Sequence, residues 1–177
     1  MVEELTLNLI KKQDISENMY AEILDLCTRA YGMDFQPLLE TFSDATYVLG
    51  RYGGQLVTHA LWVTRWLHYP EFPPWRTAYV EAVATDERYR NRGFASLVMK
   101  KIAEEIKEFD VGGLSTGLFD FYGRLDWMLW RGPLSVRKNN ELVPTPDDSV
   151  MVLYLPKTPN IDIEKSLSIE WRDGELW

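Results

Sequence analysis

The sequence predicts a mixed-sheet α/β domain, and three observations predict it. Strand-like and helix-like patterns alternate along the chain in one unit. A strand pattern at Thr77–Thr85 leads through a short polar stretch into a long amphipathic pattern, the strand–loop–helix unit of α/β folds. The 177 residues, 46% hydrophobic and 26% charged, have the size and composition of one globular domain, with no linker, repeat or low-complexity tract. The expected domain is therefore 1–177, with about 160–177 as a polar C-terminal segment that frays or docks.

Leu5–Ile10 (LTLNLI) alternates and reads as a strand. Ile15, Met19, Ile23, Leu26, Cys27, Ala30 and Tyr31 form one helical stripe, with Asp14 and Glu17 as a capping box. Phe35–Phe42 reads as a second short helix with Pro37 in its first turn. Two β-rich runs flank Tyr52-Gly53-Gly54 and read as a hairpin. Pro70–Arg76 (PEFPPWR) reads as a loop. The long helix is expected from about Gly93 to Phe109, with Phe94, Leu97, Val98, Ile102, Ile106 and Phe109 inward. GGLST reads as a buried strand, Leu118–Leu125 as a short helix, and DWMLWRG and Val150–Leu155 as strands. The expected order is β-α-α-β-β-β-α-β-α-β-β.

Composition excludes several classes. One cysteine, Cys27, cannot form an internal disulfide, and it falls on the first helix's apolar stripe as core. No apolar run approaches the roughly 18–20 residues of a membrane span, and the acidic start (Glu3, Glu4) is unlike a secretory signal. A cytoplasmic location is expected. The formal net charge of −8 argues against nucleic acid and against an anionic membrane as partner. The charge is segregated: residues 1–50 carry −6, 51–109 carry +2, 110–132 carry −1 and 133–177 carry −3. An anionic ligand is expected at the middle and a cationic one at the acidic ends. His59 and His68 read as structural, and no Cys/His cluster suggests a metal. Oligomeric state is left open, a homodimer included.

The most informative stretch is VEAVATDERYRNRGFASLVMKK. Unpaired amides at a helix start, together with the helix dipole, favour an anion. Gly93 and Ala95 are small enough for a phosphate to approach the backbone, and Arg90 and Arg92 flank Asn91 with full charge. No GK[ST] follows, so it is not a Walker loop, and GxGxxG is absent. The run Arg90-x-x-Gly93-x-Ala95 resembles the acyl-CoA motif (R/Q-x-x-G-x-G/A) of the GCN5-related N-acetyltransferases, the GNAT superfamily, and the element order matches it too. The resemblance implies a GNAT fold: a mixed central sheet flanked by helices, with splayed central strands forming the acyl-CoA site. It places the pantetheine arm on backbone groups of Val83, Ala84 and Thr85, and the pyrophosphate on amides of Arg92 to Ser96. It also matches Phe121-Tyr122 with Trp127 to a second family run, with Asp126 where glycine is usual; Asp tolerates left-handed geometry.

Downstream, GLSTGLFDFYGRLDWMLWRGPLSV, VPTPDDSVMVLYLP and the terminal EWRDGELW resemble the aminoglycoside 2′-N-acetyltransferases. In those enzymes a W-R-x-G-[DE]-x-W element lines the substrate site, the terminal carboxylate included. Trp171, Arg172, Gly174, Glu175 and Trp177 supply it here, and Tyr79–Glu81 and Asp34-Phe35 also match. The resemblance implies acetyl-CoA as co-substrate, a small cationic amine as acceptor and antibiotic resistance as biological role. Another amine (polyamine, metabolite or peptide) and a catalytically inactive CoA-binding module are the alternatives.

Acetyl transfer needs a neutral amine, a stabilised oxyanion and a protonated leaving thiolate. The resemblance makes Glu81 the water-mediated base and Tyr122 the acid for the sulfur. An amide near Val83–Thr85 would serve the oxyanion. Candidate carboxylates for a polycation are Asp34, Asp147, Asp148, Glu175 and that of Trp177, with Ser115 for a substrate hydroxyl. Direct transfer in a ternary complex is expected, with no acyl-cysteine.

Overall fold

The structure, a computed structural model, describes residues 4–139, 141–174 and 176–177. The chain forms two compact units, Met1–Val63 with Val80–Glu104, and Thr64–Tyr79 with Glu105–Trp177.

The first unit contains β1 (Thr6–Lys11), α1 (Glu17–Tyr31), α2 (Gln36–Thr41) and β2 (Thr46–Tyr52). It also holds the first part of β3 (Gln55–His68), the last part of β4 (Trp75–Thr85) and nearly all of α3 (Phe94–Glu105). β1 pairs antiparallel with β2 and β2 with β3, turning where the hairpin is expected. Ile23, Leu26 and Cys27 of α1 are fully buried, as are Leu39 of α2 and Ile102 of α3. The cap of α1 is Ser16 rather than Asp14. Its hydroxyl accepts from the Met19 amide at 3.3 Å, while Asp14 belongs to a preceding 3-10 turn. In α3, Leu97 is exposed and Met99 is buried in its stead.

The second unit holds the end of β3, the start of β4, β5 (Val111–Ser115), α4 (Phe119–Gly123), β6 (Trp127–Leu129), β7 (Leu134–Lys138), β8 (Glu141–Pro144), β9 (Val150–Tyr154) and β10 (Leu167–Glu170). Its ladders run β6-β9-β5-β4 and β3-β10-β7-β8. β4/β5 and β10/β7 are parallel, and the other pairs within the unit are antiparallel. The mixed sheet flanked by helices is therefore present, with three strands (β7, β8, β10) more than the sequence patterns indicate. Two boundaries differ as well. The loop ends at Pro74, because Trp75 is already buried in β4. Helix α3 stops at Glu105, short of Phe109. There Asp110 bonds the Arg76 backbone both ways, N–H to carbonyl at 3.0 Å and carboxylate to N–H at 2.7 Å, which turns the chain into β5.

The β4/β5 ladder covers Thr77↔Val111 to Tyr79↔Gly113 and ends, although β4 continues to Thr85. The backbone of Val80–Thr85 is thus outside that ladder.

Candidate active site

In the first unit, Glu81, Val83 and Thr85 are half-buried and alternate with buried Ala82 and Ala84. Ala82 has φ +53°, a left-handed conformation that an alanine adopts at a cost of about 1–2 kcal/mol. Such strain survives only where the surroundings over-determine it. Two carbonyls on this run accept from side chains: Val83 from the Tyr31 hydroxyl at 3.1 Å, and Ala84 from the Thr58 hydroxyl at 3.0 Å. Thr58 also shares a 2.8 Å hydroxyl bond with Thr85.

Asp86 anchors the turn between β4 and α3. Its buried carboxylate accepts from Arg88 (amide 3.0 Å, Nε 3.0 Å, Nη2 2.8 Å) and from Arg29 Nη1 of α1 at 2.8 Å. Those bonds, Arg88's first, hold its carboxyl far below the usual carboxylate range. The chain then passes through exposed Arg90, Asn91, Arg92 and Gly93. Asn91 and Gly93 have φ +61° and +77°, with Arg92 between them outside the left-handed region, and such alternation of hand is the backbone pattern of anion-binding nests. The first amide to donate back into α3 is that of Leu97, to the Gly93 carbonyl at 3.1 Å. The amides of Phe94, Ala95 and Ser96 precede that ladder. Phe94 pins the helix start against Tyr52 (5.4 Å between centroids) and Tyr89 (6.4 Å), and the Arg92 guanidinium lies 5.1 Å from the Tyr89 ring. Asp34 stands between α1 and α2, where its carboxylate caps the Gln36 amide at 3.1 Å.

In the second unit, Tyr122 is buried on α4, edge-on to Phe121 and Trp127. Burial pushes its phenol up to about 12, so it remains protonated at neutral pH. Asp126 has φ +67°, the left-handed turn that glycine usually makes. The remaining candidates gather at one turn. The Thr145 carbonyl accepts from the Asp148 amide at 3.2 Å, and its hydroxyl accepts from the Trp177 indole at 2.8 Å. Ser115 donates to the Ser149 carbonyl at 3.2 Å. Asp147 is exposed and Asp148 half-buried, whereas the Trp177 side chain is buried. Glu175 lies outside the described residues.

Tyr31, Thr58 and Arg65 belong to no motif that the sequence displays, and Thr145 lies in the VPTPDDS run without being singled out there. A signal existed for Arg65, a charge inside the otherwise apolar run ALWVTRWL. Tyr31 merely continues an apolar stripe. Among the described residues, no group of three or more His, Cys, Asp or Glu is placed to hold a metal, and no helix is long and apolar enough to cross a membrane.

A strand that runs past its parallel partner, an amide-lined loop and a long helix behind it describe an acyl-CoA transferase scaffold. Sequence agrees: residues 12–130 match the Acetyltransferase (GNAT) domain, and the chain belongs to that family. Among relatives, it is 33% identical over 131 residues to an aminoglycoside 2′-N-acetyltransferase of Mycolicibacterium fortuitum, covering 70% of this chain and 67% of that protein. The fold superposes on the GNAT family N-acetyltransferase YhbS of Escherichia coli, solved in complex with CoA. The TM-score is 0.66 at 14% identity, over 98% of this chain and 93% of that one. A probable N-acyltransferase of Enterococcus faecalis gives a TM-score of 0.61 at 17% identity over 73% of this chain, which spans only 33% of that longer protein.

Proposed function

We propose that this protein transfers acetyl from acetyl-CoA to an amine of a small cationic molecule, the 2′-amine of an aminoglycoside, by direct attack in a ternary complex. The observation that carries this reading is the 33% identity to an aminoglycoside 2′-N-acetyltransferase, joined to the GNAT domain match. The donor cradle is Val83–Thr85 for the pantetheine arm and Arg90–Ser96 for the pyrophosphate. The left-handed Asn91 and Gly93 and the amides ahead of the α3 ladder support that assignment. Acetyl-CoA supplies the activated thioester.

The chain's residues do the rest. Glu81 accepts a proton from the ammonium through water, since only the neutral amine is a nucleophile. An amide of Val83–Thr85 stabilises the oxyanion. Tyr122 donates to the departing thiolate, a role supported by its protonated phenol. Asp34, Ser115, Asp147, Asp148, Glu175 and Trp177 bind the cation and its hydroxyls.

The test is thiol release from acetyl-CoA with a panel of amines. Aminoglycosides bearing a 2′-amine should turn over and those with a 2′-hydroxyl should not. Equal turnover of both refutes the regiochemistry. Turnover of polyamines or peptides alone points to another amine, and release with none points to a binding module.

A further inference from the structure

The second unit contains a buried cation that takes no part in the transfer chemistry. Arg65, three residues before the end of β3, is 7% exposed. Its Nη1 donates to the Leu176 carbonyl and its Nη2 to the Glu170 carbonyl, each at 2.7 Å. Its guanidinium carbon also lies 5.3 Å from the centre of the Tyr79 ring. Glu170 ends β10 and Leu176 is the penultimate residue, so one planar fork grips both ends of the segment between them. Burying a guanidinium costs several kcal/mol unless its donors are satisfied. Here two of the donors are spent on main-chain carbonyls, those of Glu170 and Leu176. Lysine, with one nitrogen, lacks the two fixed donor directions that this bridge uses. A second anchor acts independently: the Trp177 indole donates to Thr145, in the turn that carries Asp147 and Asp148.

We infer that Arg65 is a positioning residue for the amine substrate, fixing the chain at Glu170 and Leu176 within the second unit so that amine recognition by that segment is pre-organised, with Thr145 as its partner anchor. The inference rests on the reading that this segment borders the amine site. It predicts a rise in the amine KM when the clamp is lost. The acetyl-CoA KM and kcat stay within about twofold, because only ordering of the segment is removed.

Two measurements separate the clamp from its role. Hydrogen exchange of the amides of residues 171–177, made without substrate, reads the clamp itself. Exchange should quicken in Arg65→Gln and partly in Arg65→Lys. Thr145→Val, which removes only the indole's acceptor, should quicken it without disturbing the buried charge. Unchanged exchange in all three overturns the clamp. Steady-state kinetics reads the role. Arg65→Gln should raise the amine KM about tenfold, since substrate binding would then bear about 1.4 kcal/mol for ordering the segment. Combining it with Thr145→Val should raise it no further than the larger single change, since both act through one segment. Additive effects, or an equal rise in the acetyl-CoA KM, overturn the role. So does faster exchange with an unaltered amine KM. If the unaltered protein turns over no amine, the functional reading fails and the positioning role with it, while exchange still decides the clamp.

Discussion

In the proposed reaction, Glu81 and Tyr122 are the residues on which the chemistry turns. Replacing Glu81 by Gln should lower kcat by about 10²–10³-fold, the worth of a positioned base, with the acetyl-CoA KM changed by less than about twofold; steady-state kinetics at neutral pH checks this. Tyr122→Phe should also lower kcat. Because burial pushes the Tyr122 phenol from 10 up to about 12, the loss of activity from that group in the unaltered enzyme should centre on about pH 12 instead of pH 10. His59 behaves differently. It is fully buried with Nε2 2.9 Å from Cys27 Sγ, and burial lowers it from 6.5 to about 4. Folded His59 therefore stays neutral over a range in which the unfolded chain takes up a proton. Its contribution is present above about pH 6.5 and is lost as pH falls toward about 4. Urea unfolding across that window should show stability declining with acid in the native protein and a flatter profile in His59→Gln.

At the scale of elements, close approach sets the limits. Gly132 lies between β6 and β7, and a Cβ there would stand 1.8 Å from the Lys165 carbonyl oxygen, a backbone atom that cannot step aside alone. Gly132→Ala should cost about 3 kcal/mol, the upper range for overpacking, read as a fall in Tm with the donor KM intact if the protein still folds. The strand–loop–helix unit was legible because each part has its own local signature. A β-rich run, two arginines about a polar residue, small residues and an amphipathic stripe need no tertiary partner to be seen. Strands β7, β8 and β10 were not legible. β8 is exposed along its whole length and so carries no buried alternation, while β10 is a four-residue strand whose place depends on pairing with β3 and β7. The cap of α1 slipped from Asp14 to Ser16 because both residues suit the role, and only the 3-10 turn ahead of the helix decides between them.

Across the whole molecule, the net charge of −8 conceals a basic middle segment, and the exposed Arg90 and Arg92 are its part beside the donor cradle. Neutralising both to Gln should raise the acetyl-CoA KM about fivefold at low ionic strength, as one or two exposed charge contacts would. It should also flatten the rise of that KM with added salt. Kinetics at two salt concentrations tests this, and an unchanged salt dependence would mean that backbone amides alone hold the phosphates.

By itself the sequence determined the family, the mixed α/β class and the run from Glu81 to Ser96 to which the proposed chemistry is assigned, since contiguous motifs and periodicity are local properties. Tertiary structure alone decided that the β4/β5 ladder ends at Tyr79, that Ala82 is left-handed and that Tyr31 and Thr58 bond the carbonyls of Val83 and Ala84. It also decided that the terminal segment is held by Arg65 and Thr145, from far away in the chain. Hydrogen bonds over such separations leave no periodic trace in a sequence, because the partners' spacing is set by the path of the whole chain between them.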